Sequence, residues 1–208
     1  GLWAPLDESA MPNLQYARQQ LLNRNAEGEL IGVGAVSWYI TLVTNTDVIP
    51  EEPTSWADMW GDYPNQLGLL ALPANSFLLE ITATTFFGGT DILSTEDGVL
   101  EVIGKLAELQ DNVQLWYRDE GQFQQALQSG EIPMGQYYHD VTGLAAAAGF
   151  PARSTCPQEG GVLDSGSWAV TRASDKLEEA QVFINWFMQP RVQDLVARSI
   201  GTAPTVER

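Results

Sequence analysis

The chain has 208 residues, an ordinary globular composition with 44% hydrophobic residues, and a formal net charge of −17. A surface this acidic serves solubility and argues against nucleic acid and anionic membrane surfaces as partners. A single cysteine, Cys156, rules out an internal disulfide and any CxxC metal or redox motif, and no apolar run reaches the roughly 18 residues of a membrane span.

The chain opens on Gly-Leu-Trp with no charged-then-apolar leader, and so reads as a mature or trimmed start. Residues 14–25 read as a helix stopped by Gly28. Residues 31–46, IGVGAVSWYITLVTNT, form a long β-rich run of Val, Ile, Thr, Trp and Tyr. Pro50 and Pro53 punctuate the next segment, and Thr54 or Ser55 caps a short helix ending at Gly61. From there strands and helices alternate: strand 67–72, helix 75–87, helix 95–110, strand 113–116, helix 121–129, strand 132–138, helix 141–148, strand 152–155. A strand over 163–170 comes after the Gly160-Gly161 turn, and helices over 174–188 and 192–200 close the chain. This alternation predicts an α/β fold.

Few residues could carry covalent chemistry. The only histidine, His139, sits beside Asp140 at the end of a predicted strand. A Ser-His-Asp site would have to use it, but the GxSxG nucleophile elbow is missing. Carboxylate pairs are trivially found among 27 acidic residues and point to no glycosidase. The His/Cys clusters of zinc sites and the glycine-rich phosphate loops are absent. The chain reads as no enzyme and as needing no cofactor or metal. Aromatic residues give more: Trp38, Tyr39, Tyr137, Tyr138 and Trp168 lie on or beside predicted strands. Together with Asn75, at a strand-to-helix junction where free N–H donors collect, they suggest a cleft.

The segments GLWAPLD…MPN, PTSWADMWGD, SGEIPMG, CPQEGG and EEAQVFINWFMQPRVQDLVARSIGTAPT, in this order, resemble the periplasmic solute-binding proteins of bacterial ABC importers, in the spermidine/putrescine-binding branch. The resemblance covers nearly the whole chain. It implies a type II periplasmic-binding-protein-like fold, two α/β lobes with a cleft between them, and a first lobe lacking its opening strands. The implied division is 1–47 for the remainder of the first lobe, 48–160 for the second, 161–168 for the crossover and 169–208 for the return. It also implies a periplasmic location, a membrane permease as partner, and a monomer for the full-length protein, with dimerisation an option for the shortened chain.

Matched position by position, the resemblance places ligand contacts at Asn75, Leu78, Tyr138, Asp164, Gly166 and Thr202. Tyr138 alone keeps aromatic character. Acidic contacts of the branch have become Asn75, Leu78 and Gly166, and Asp164 replaces an aromatic. Ser37, Trp38, His139 and Asp140 complete the candidate set. A polyamine needs several carboxylates for its ammonium groups, so an amine or amino-acid-like solute fits better than spermidine. In the stretch PQEGGVLDSGSWAV the glycine pair would let the backbone turn at the cleft rim and bring Asp164 to the ligand. The alternatives are a ferric-ion carrier using Tyr137 and Tyr138, or a sensor or enzyme on the same fold.

Overall fold

A computed structural model describes residues 1–207. Seven strands form among them: β1 (Leu22–Arg24), β2 (Leu30–Asn45), β3 (Leu67–Leu70), β4 (Val113–Tyr117), β5 (Met134–Tyr138), β6 (Ala152–Thr155) and β7 (Val162–Trp168). The helices are α1 (Pro73–Ser76), α2 (Leu78–Phe86), α3 (Glu96–Ala107), α4 (Glu120–Ser129), α5 (His139–Ala147), α6 (Leu177–Phe187) and α7 (Pro190–Ile200). The chain divides into two compact units. One comprises Gly1–Trp38 and the chain from Leu163 on, and the other is Tyr39–Val162.

In the second unit the end of β2 lies between β5 and β6 and is antiparallel to both, with Leu42 opposite Gln136 on one side and Thr155 on the other. β3 is parallel to β4 and to β5. The three parallel strands therefore end on one edge, and each passes almost at once into a helix: β3 into α1, β4 into α4, β5 into α5. The core is aromatic. Tyr117 stacks on Phe123 at 4.8 Å, and Tyr137 meets Phe123 edge-on at 5.2 Å. Glycine at positions 68 and 135 makes room for this ring, because a Cβ at either position would overlap the Phe123 side chain. Buried Asn45 ends β2 and donates to the Leu127 carbonyl at 2.8 Å.

In the first unit β1 and β7 each pair with β2. The core joins Leu6, Met11, Leu30, Val33, Val170, Ile184, Met188 and Val206, which the sequence spreads over nearly its full length. Buried Gln193 ties these pieces together. Its amide donates to Ala35 and Phe187 carbonyls, and its oxygen accepts from the Thr205 backbone and hydroxyl. Such a fully satisfied buried amide fixes one arrangement of its neighbours.

Several expectations are corrected. Residues 14–25 form 3-10 turns at Pro12–Tyr16 and Gln19–Leu21, followed by β1. Long-range bonds outcompete the local helix there: Asn13 pairs with Asn185 through both its backbone and its amide, and the Arg18 backbone donates to Thr205. The helix expected over 75–87 is broken at Phe77, whose φ of 52° and ψ of 19° are left-handed. That conformation costs a non-glycine residue about 1–2 kcal/mol. The helix expected from residue 141 begins at His139, and β7 ends at Trp168 rather than passing through it. The units divide inside β2, at Trp38, rather than after residue 47, because β2 is one unbroken strand whose two halves pair with different partners. The first unit resumes at Leu163, inside the 161–168 stretch expected as the crossover and ahead of the return expected at residue 169.

Candidate functional site

The sequence candidates fall into two sets, one in each unit. In Tyr39–Val162 they gather at the carboxyl edge of the parallel strands, where open α/β sheets bind ligands. Tyr138 ends β5 and is half-buried, and its hydroxyl donates to Glu120 Oε1 at 3.0 Å in the first turn of α4. Strand alternation would set its neighbour on the other face, yet the Tyr137 ring lies against it with centroids 5.1 Å apart. Tyr137 is 2% exposed, and its hydroxyl donates to the Glu120 carbonyl at 3.3 Å. Burial, then the Glu120, Asp140 and Asp119 carboxylates, push the Tyr137 phenol far above its usual range. Tyr137 belongs to the core, and Glu120 engages both hydroxyls.

His139 and Asp140 occupy the first turn of α5. His139 Nδ1 lies 2.9 Å from Ser154 Oγ, which lies 2.5 Å from Thr41 Oγ1. Among the described residues no carboxylate is bonded to the imidazole, so this chain of three side chains lacks the orienting acid of a nucleophile–base relay. It offers hydrogen bonds. Asp140 Oδ1 is buried with no hydrogen-bond partner among the described residues, an acceptor that an incoming N–H donor would satisfy. Asn75 is exposed on α1.

The first unit holds Ser37, Trp38, Asp164, Gly166 and Thr202. Ser37 is 2% exposed, and its backbone and hydroxyl both engage Ala203, at 2.7–3.2 Å. These bonds hold Ala203, and with it the adjacent Thr202, beside β2. The Thr202 hydroxyl is buried with no hydrogen-bond partner among the described residues. Gly166 backs onto the Trp38 indole: a Cβ there would lie 3.6 Å from the ring, in ordinary contact. Asp164, half-buried on β7, accepts the Ser165 N–H at 2.7 Å through one oxygen. Asp164 and Gly166 are two apart on a strand and so share a face.

The residues missed by sequence reasoning are the partners: Thr41, Ser154, Glu120 and Gln136. Buried Gln136 donates to the Ser76 carbonyl while its own Oε1 has no hydrogen-bond partner among the described residues. Glu120 was within reach of the argument that selected Asn75, because it too sits at a strand-to-helix junction. Ser154 carried no local signal, since only the β2–β6 pairing brings it to Thr41.

The sequence profile of the family described as bacterial extracellular solute-binding protein matches residues 1–208. The γ-aminobutyric acid-binding protein of Pseudomonas aeruginosa is 26% identical over 179 residues, covering 83% of this chain and 49% of that protein. The spermidine/putrescine-binding periplasmic protein of Salmonella typhimurium is 26% identical over 204 residues, covering 97% and 57%. Among solved structures, the binding protein MotA of A. tumefaciens B6 in complex with glucopine superposes with a TM-score of 0.82 at 21% identity, covering 99% of this chain and 62% of that one. The chain thus spans about half the length of the curated relatives it matches.

Proposed function

Because the chain belongs to the bacterial extracellular solute-binding protein family, we propose that it serves as the solute-binding component of an ABC importer, acting in the periplasm and passing a small amino-acid-like amine to a membrane permease. The relatives named for γ-aminobutyric acid, spermidine/putrescine and glucopine supply the class of solute. Nitrogen is common to all of these. The observation that narrows the class is the thin supply of carboxylates. Asp164 is the one carboxylate of the candidate set in the first unit, beside uncharged Trp38, Gly166 and Thr202. In the second unit Asp140 supports an N–H-bearing ligand through its unpartnered oxygen. One ammonium suits Asp164, with a polar or anionic end for a donor such as Thr202 of the same unit. A triamine such as spermidine would leave an ammonium group without a carboxylate of the candidate set, which holds Asp140 and Asp164.

The test is calorimetric titration of the chain with 4-aminobutyrate, putrescine and spermidine. The expected order places 4-aminobutyrate at least about tenfold tighter than spermidine, a difference of about 1.4 kcal/mol. Spermidine binding tightest, or no binding by any of the three, overturns the ligand class.

A further inference from the structure

The second unit contains a concave pocket whose lining includes Pro73 and Ser76, on either side of Asn75 in α1, and Leu78. It measures about 290 Å³ and lies between β3, the α1–α2 break, α3 and β4. Leu70, Pro73, Leu79 and Leu106 give it apolar walls, and Trp116 forms one side. Trp116 is 49% exposed although it is the largest side chain there. One ionisable group lines the pocket, Glu80. Glu80 is exposed and makes no ion pair among the described residues. Lys105, on α3, is engaged elsewhere: its Nζ is 2.5 Å from Glu108 and lies over the Phe86 ring at 4.5 Å.

From these observations we infer that this pocket binds an organic cation with an apolar body, such as an aralkyl ammonium. The leucine walls accept the hydrocarbon part, the indole of Trp116 offers its negative face to the charge, and Glu80 completes the charge pairing. An anion meets the carboxylate of Glu80 and the field of a chain with 27 acidic and 10 basic residues. A neutral apolar molecule gains the walls and leaves the carboxylate unused. The left-handed Phe77 belongs to the same design. It splits the helix so that Pro73, from α1, and Leu79 and Glu80, from α2, reach one pocket. Backbone strain held at a turn that shapes a pocket is the form strain takes at ligand sites.

The test uses phenethylammonium, with 3-phenylpropionate and phenethyl alcohol as anionic and neutral analogues, in calorimetry and ligand-observed NMR on the full chain. Phenethylammonium should bind at roughly millimolar concentration, as its size allows, and the anion should not bind. Glu80→Gln and Trp116→Ala should each weaken the cation about three- to tenfold. Glu101→Gln, an exposed α3 change outside the pocket, should leave it unchanged. Equal affinity for cation and anion, an affinity unmoved by both pocket variants, or the absence of saturation overturns the inference. Glu80 lies on the surface of α2, so Glu80→Gln keeps the test sound even if Trp116→Ala misfolds.

Discussion

Glu159 Oε1 lies 2.5 Å from the Ser55 hydroxyl, 104 residues away in sequence. The other carboxylate oxygen accepts the Trp56 N–H at 3.2 Å, and the Trp56 indole donates to the Gly160 carbonyl at 2.9 Å. Ser55 is also the cap of the short 3-10 helix Trp56–Trp60: its Oγ accepts from Ala57, and Asp58 closes the capping box. The glutamate before the glycine pair thus fastens the turn at Gly160, whose φ is +99°, to the N-terminal end of a helix, where negative charge is favoured.

Glu159→Gln should destabilise the fold by about 1–2 kcal/mol, because the neutral amide loses charge-assisted bonds and places an NH2 group opposite a donor. Ser55→Ala should cost about 1 kcal/mol through the lost cap. Urea denaturation of both single variants and the double variant checks this. The double variant should cost less than the sum, since the two residues share one interaction. Strict additivity would show that the contact contributes nothing.

The same carboxylate makes a pH prediction. Burial works to raise the Glu159 pKa, but hydrogen bonds from Ser55, from its own backbone and from Trp56 outweigh it, and the net shift is downward from 4.5. A depressed folded pKa means that the unfolded state takes up protons first. The stabilisation is therefore full above the unfolded value and fades as pH falls through the folded one. The stability gap between the native chain and Glu159→Gln should be constant from pH 7 to about 5 and shrink below about pH 4.3. Chemical unfolding at stepped pH measures it, and a gap that widens on acidification contradicts the assignment.

Two glycines should respond oppositely to alanine. At Gly135 a Cβ would overlap the Gly68 carbonyl oxygen and stand 2.6 Å from the Phe123 ring, so β3 and β5 would have to part. Gly135→Ala should cost about 1–3 kcal/mol. Gly104 lies inside α3, and a Cβ there meets nothing within 4 Å. Gly104→Ala should stabilise by about 0.5–1 kcal/mol through helix propensity. Paired thermal melts decide both signs.

Asp164→Asn should weaken binding of the tightest solute among the three titrated by about 2–5 kcal/mol, the usual cost of removing one partner of a desolvated charge pair. The melting temperature without solute should hardly move, because among the described residues the Asp164 carboxylate bonds only locally, to the adjacent Ser165 N–H. An unchanged affinity removes Asp164 from the site.

The sequence by itself determined what depends on near neighbours along the chain. The α/β alternation, the Ser55 cap, the stop at Gly130 with φ +77° and the strand character of β2 all arise from periodicity, caps and backbone preference. It did not foresee how Tyr137 and Tyr138 meet: alternation sets them on opposite faces, yet their rings lie 5.1 Å apart and both hydroxyls reach Glu120. Tertiary structure alone decided the rest. Residues 14–25 had enough helical pattern to pass as a helix, yet Asn185 holds Asn13 just before them and Thr205 takes the Arg18 N–H within them. Ser37 on β2 gained its hydrogen-bond partner, Ala203, from 166 residues away. Ser154 and Glu159 gained their partners from chain 113 and 104 residues away. A hydrogen bond has no sequence distance, and a buried polar group must find a partner wherever the fold brings one. Local pattern therefore determined the elements, while long-range polar pairing determined which side chains remain available to a ligand.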